Sequence, residues 1–135
     1  MARQKIVSDF RPDFNRIKTY DRKYINLPHD TVTSSEFLSL PGAYHKVFLV
    51  LGVLSFERAE TSGWFPATMK ELEERTCLSV NTIRDAKREL EKLHFLDVGL
   101  AFRINSNVHY SDCYRINGFK EFSTSQKSWG TTKFW

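Results

Sequence analysis

The chain has 135 residues, 41% of them hydrophobic and 14% aromatic, which excludes a disordered polyelectrolyte and predicts one folded domain with a modest core. Its formal net charge is +4, with a pI near 9.1. The excess sits at the front: in residues 1–23, Arg3, Lys5, Arg11, Arg16, Lys18, Arg22 and Lys23 face only Asp9, Asp13 and Asp21, so the remainder is neutral overall.

Taken in order, residues 1–22 read as a basic arm. Residues 23–28 alternate and stop at Pro28, which predicts a short edge strand. Thr33 with Glu36 has the spacing of a capping box and predicts a short helix through Leu40. After the break at Pro41 and Gly42, a long helix is predicted from about Ala43 to Glu60, ended by Ser62 and Gly63. It holds the most apolar run, residues 47–56, which is about half the length a bilayer span requires and so reads as the central core helix. No apolar h-region precedes it, so neither a secretory signal nor a membrane span is expected.

Trp64, Phe65 and Pro66 form a short extended piece. Thr68 with Glu71 is a second capping box, and Met69 and Leu72 give the helix that follows an apolar side. Cys77 and Leu78 read as a small buried turn, and Ser79 as the cap of a second helix over 79–94. At about 100° per residue, Ile83, Ala86, Leu90 and Leu93 share one apolar arc, with Val80 near its edge. Asn81, Arg84, Asp85, Arg88 and Lys92 fall on the opposite arc. Residues 95–104 then read as a strand, Asn105, Ser106 and Asn107 as a polar turn, and 108–116 as the return strand. From Asn117 onward Ser, Thr, Lys and Gln dominate up to Trp129, Phe134 and Trp135.

Strand, helices, strand, helix-turn-helix and hairpin, in that order, predict an α+β winged helix-turn-helix with N- and C-terminal extensions. Its parts are the arm at 1–22, the domain at 23–118 and a tail at 119–135. A solvated surface helix would also be polar outside. Asn and Arg near the start of the second helix are the side chains that reach base edges: Arg pairs bidentately with guanine and Asn with adenine. The predicted partner is double-stranded DNA. The predicted recognition helix contacts are Ser79, Asn81, Thr82, Arg84, Asp85, Arg88 and Lys92. Arg103, Asn105, Ser106, Asn107 and His109 are the wing contacts, and Arg3, Lys5, Arg11, Arg16 and Lys18 touch phosphates from the arm.

Catalysis is not expected. The six glycines make no phosphate loop, and a Walker pattern is missing. His29, His45, His94 and His109 are isolated, and Cys77 and Cys113 are too far apart for a Cys-x-x-Cys pair, so no metal or cofactor is expected. Both cysteines are expected reduced in the core of a cytoplasmic, nucleoid-associated protein.

Tyr24-Ile-Asn-Leu-Pro-His29, Ser35-x-Phe37 with Leu40, the long apolar helix, Leu72-xxx-Thr76, Leu78-Ser-Val-Asn-Thr-Ile83 and Arg88-Glu-Leu-x-Lys-Leu-x-Phe95-Leu96 together resemble the N-terminal winged-helix domains of phage and plasmid replication proteins. These are replication initiators and helicase-loader-like replisome organisers. The resemblance covers roughly 23–104. It implies recognition of a replication origin of a plasmid, phage or other mobile element, and a replisome or helicase-loading partner if the chain is part of a longer initiator. Longer initiators carry a C-terminal oligomerisation or helicase-contact domain, which is not evident here. A small transcriptional regulator is the alternative on the same fold, and a winged helix used for protein contact in a replisome is the third. A homodimer is expected, because two half-sites multiply the affinity of helix-turn-helix proteins.

Overall fold

The structure, a computed structural model, describes residues 3–11, 25 and 27–117. A four-residue strand, β1 (Gln4–Val7), is followed by two one-turn helices, α1 (His29–Val32) and α2 (Ser35–Leu38), and by the long helix α3 (Gly42–Arg58). After β2 (Phe65–Ala67) come α4 (Met69–Thr76) and α5 (Val80–Lys92), and the hairpin β3 (Leu96–Phe102) and β4 (His109–Ile116). The four strands form one sheet in the order β1-β3-β4-β2. β3 and β4 are antiparallel, as are β2 and β4, whereas β1 runs parallel to β3.

Alternation along the strands gives the sheet two different faces. Leu96, Val98, Tyr114, Ile116 and Phe65 join the main core. There they meet Val47, Phe48, Leu51 and Leu54 of α3, Leu72 of α4, and Ile83, Ala86 and Leu90 of α5. The apolar run in α3 is thus the centre of the molecule, as its composition predicts. Ala101 and Cys113 turn the other way and pack with Trp64, Ile6 and Phe10 in a second, smaller cluster.

The helix pair follows its local signals closely. Thr68 and Glu71 make a complete capping box at the start of α4. Glu71 also receives the Arg58 guanidinium at both carboxylate oxygens, which ties the end of α3 to the start of α4. Cys77 ends α4 in the left-handed region at φ 58°. The buried Thr76 hydroxyl braces that turn, donating to the Leu72 carbonyl at 2.6 Å and accepting the Leu78 amide at 3.2 Å. Ser79 caps α5 by accepting the Thr82 amide at 3.2 Å. The helix closes at His94, φ 65°, with the Phe95 amide donating back to the Leu90 carbonyl and the His94 amide to that of Glu91, a Schellman ending.

Several expectations need correction. Of the strand expected at 23–28, Lys23, Tyr24 and Asn26 lie outside the described residues, and Ile25, Leu27 and Pro28 are not in a strand. Leu27 packs instead onto α3, where its Cδ2 lies 2.7 Å from the place a Cβ on Gly52 would take, and Pro28 precedes α1. Ser34, not Thr33, caps α2, accepting the Phe37 amide at 3.2 Å. Cys77 is exposed where burial was expected, while Cys113 is buried. The expected arm is in part a strand, because Gln4 to Val7 pair with Gly99 to Phe102. The tail expected at 119–135 lies outside the described residues.

Candidate nucleic-acid interface

α5 buries Ile83, Ala86, Lys87 and Leu90. That burial fixes which residues face outward: Asn81, Asp85, Arg88 and Lys92 point away from the core and are exposed. Arg88 is held by Asp85 at 3.3 Å, an exposed pair one turn apart that solvent screens. Ser79 is occupied as a cap, and its hydroxyl lies 3.0 Å from that of Thr82, so both serve the helix start. Arg84 is exposed on the flank of α5 that turns toward the sheet, about 60° round the helix from Lys87.

That flank forms one wall of a cleft of about 470 Å³. Arg84, Lys87 and Arg88 line it from α5, Tyr110, Asp112 and Tyr114 from β4, and Arg3 from the start of β1. Four cations therefore meet one carboxylate. Lys87, 8% exposed, donates to Asp112 at 3.1 Å and lies 4.9 Å from the centre of the Tyr114 ring. Burial lowers its pKa, Asp112 opposes that shift, and Arg3 and Arg84 add to it. The Tyr114 phenol is pushed well above its ordinary range, again chiefly by burial. Arg3 reaches across to Glu91 of α5 at 3.1 Å.

Lys87 was not among the residues singled out from the sequence. Its signal is present there, since it stands four residues after Ile83 and three before Leu90, on the buried arc.

At the hairpin tip, Arg103 lies over the Tyr110 ring at 4.9 Å and Asn105 takes φ 64°. Ser106 accepts the Val108 amide at 3.1 Å, and Asn107 is exposed between the exposed Ile104 and Val108. His109 Nε2 stands 3.5 Å from Asp112. Arg103, Asn105, Ser106, Asn107 and His109 share the hairpin end and none of these five lines the cleft, although Tyr110 and Asp112, which Arg103 and His109 approach, do. The expected arm contacts separate. Arg3 joins the cleft, and Lys5 sits 4.5 Å from the Phe102 ring centre on β1. Arg11 pairs with Asp9 at 2.9 Å, and Arg16 and Lys18 lie outside the described residues. Among the described residues no group of three His, Cys, Asp or Glu side chains could hold a metal ion, and no helix is long and apolar enough to cross a membrane.

No protein-family model matches this chain, and no curated protein matches it. Two solved structures do. One, described as "Structure of Rep-DNA complex", is 13% identical, with a TM-score of 0.47 over 82% of this chain and 92% of that one. The other, described as "N-Terminal domain of DNA binding protein", is also 13% identical, with a TM-score of 0.45 over 83% of this chain and 91% of that one. At this identity and TM-score the likeness does not assign the chain to a family.

Proposed function

We propose that this chain is a winged helix that binds double-stranded DNA without catalysis, with the outward side of α5 in the major groove and the β3–β4 hairpin as the wing. The observation that carries the reading is the outward row of α5, where Asn81, Arg88 and Lys92 stand exposed beside the cationic cleft. A helix used for protein contact would be depleted of Asp and Lys at the centre of that face, where Asp85 and Lys92 stand here. Asn81 and Arg88 supply the two bidentate readers, for adenine and guanine. Asp85 lies 3.3 Å from Arg88 and, as an acceptor, suits the N4 amine of a cytosine.

The favoured biological role is recognition of a replication origin in a plasmid, phage or other mobile element, by a cytoplasmic protein that binds as a dimer. A small transcriptional regulator would use the same surface, since a fold alone does not choose between them. Selection of bound duplexes from a random pool, followed by anisotropy titration, tests the DNA reading. Asn81→Ala and Arg88→Ala should each cost about 1–3 kcal/mol on the selected site and less on a scrambled duplex. Unchanged binding by both variants would reject α5 as the reading helix. Mapping the selected sequence to repeats within an origin, or to a promoter, separates the two roles.

A further inference from the structure

The side of α5 that turns toward the sheet has a different chemistry from its outward side. Arg84 stands there with no carboxylate partner among the described residues, unlike Arg88 and Arg3. It faces the cleft that Arg3 enters from β1 and that Lys87 floors. Four like charges thus line one cavity, and only Lys87 is neutralised inside it, by Asp112, while Arg88 pairs with Asp85 and Arg3 with Glu91. Their mutual repulsion is visible at Lys87, where Arg3 and Arg84 both oppose protonation. An anion between them would relieve that repulsion. A cleft of about 470 Å³ has room for a phosphate.

We propose that the cleft between α5 and β4 clamps one backbone phosphate of the bound duplex, with Arg84 and Arg3 as its ligands and Lys87, anchored on Asp112, as a fixed positive charge behind them. The proposal rests on the DNA reading above and moves Arg84 from the base-reading set to the backbone-positioning set. It also makes β1 part of the interface, because the strand is what delivers Arg3. Glu91 keeps Arg3 at the rim until a phosphate competes for it.

Salt titrations on a selected and a scrambled duplex test this. Arg84→Gln and Arg3→Gln should lose affinity by the same factor on both duplexes. Each alone should remove part of one phosphate contact from the slope of log K against log salt, and the two together should reduce its steepness by about 0.9. Arg3→Lys, which retains the charge, should retain the slope. Circular dichroism and melting curves identify any variant that has unfolded. A second arm needs no variant: duplexes with one methylphosphonate at a time are titrated with the unaltered protein. One position should reproduce the loss, and Arg84→Gln should lose nothing further on that duplex. An Arg84→Gln loss confined to the selected duplex would make Arg84 a base reader and overturn the clamp. So would an unchanged slope in both Gln variants, or losses that add at every methylphosphonate position. In those cases selective loss by Asn81→Ala and Arg88→Ala leaves the DNA reading standing. A protein that binds neither duplex overturns both.

Discussion

Glu71 carries two structural tasks on one carboxylate. It takes the Arg58 guanidinium at both oxygens, and its Oε1 accepts the Thr68 amide at 3.1 Å as the return half of the capping box. Those bonds, Arg58's above all, hold its carboxyl down to about 2 from an ordinary 4.5. A carboxyl depressed by folding stabilises the native state fully above its unfolded value, and loses that contribution as the pH falls through the folded one. The α3–α4 junction should therefore weaken as the pH drops from 4.5 toward about 2. Urea melts across that window should show Glu71→Gln less stable than the parent above it and the difference shrinking below it. A difference that stays constant with pH would remove Glu71 as the titrating group. The two cysteines should likewise behave differently. Burial pushes the Cys113 thiol up to about 12, whereas Cys77 is exposed. In the native protein iodoacetamide should label Cys77 alone, and both thiols after unfolding. Cys77 also holds φ 58°, a conformation that costs a side chain roughly 1 kcal/mol and glycine nothing. Cys77→Gly should thus raise stability by about 1 kcal/mol, read as a later urea midpoint; an earlier midpoint would mean that the turn is relaxed as it stands.

At the scale of elements, α5 depends on the core beneath it. Leu90 is fully buried among α3 and sheet side chains, so Leu90→Ala should cost about 2–5 kcal/mol. An unchanged melting curve would contradict that packing. The α4–α5 pair was legible in the sequence because its signals are local: Thr68, Glu71 and Ser79 each act within one turn, and Ile83, Ala86 and Leu90 mark one face. β1 was not legible for the opposite reason. Gln-Lys-Ile-Val lies in a charged stretch, and its pairing is with residues 99–102, which nothing local reveals. Its place is made by Gly99, where a Cβ would come within 3.0 Å of the Gln4 carbonyl oxygen and of Ile6 Cγ1, and 3.2 Å of the Trp64 ring. Gly99→Ala should push β1 away from β3 and expose Trp64, which a red-shifted tryptophan emission would register. Unaltered emission together with an unaltered melt would show that the strand absorbs the methyl group. The cleft was half legible: Arg84 and Arg88 were named from the helix wheel, but Arg3 and Asp112 arrive through pairing between distant strands.

For the whole molecule, the position of β1 changes what the basic front of the chain is. Arg3 is built into the sheet surface beside α5, so its charge adds to the helix's as one fixed field. If roughly four to six phosphates are neutralised per protomer, log K should fall with log salt at a slope of about −4 to −5. Affinity that is flat between low and physiological salt would refute an electrostatic interface of that size. The parallel pairing of β1 with β3 also sets an order of events in time. Gln4 meets Gly99 and Val7 meets Phe102, so β1 has no partner until most of the described chain that follows it exists. Closing so long a loop costs roughly 4 kcal/mol of chain entropy, which the hairpin and the helices, with their shorter-range contacts, do not meet. In pulse-labelled refolding, the β1 amides should gain protection from exchange after those of β4, and in the native state they should exchange sooner. A growing chain would then carry Arg84 and Lys87 while Arg3 is still adrift, and the cleft proposed to grip a phosphate would be complete only when β3 and β4 are both in place.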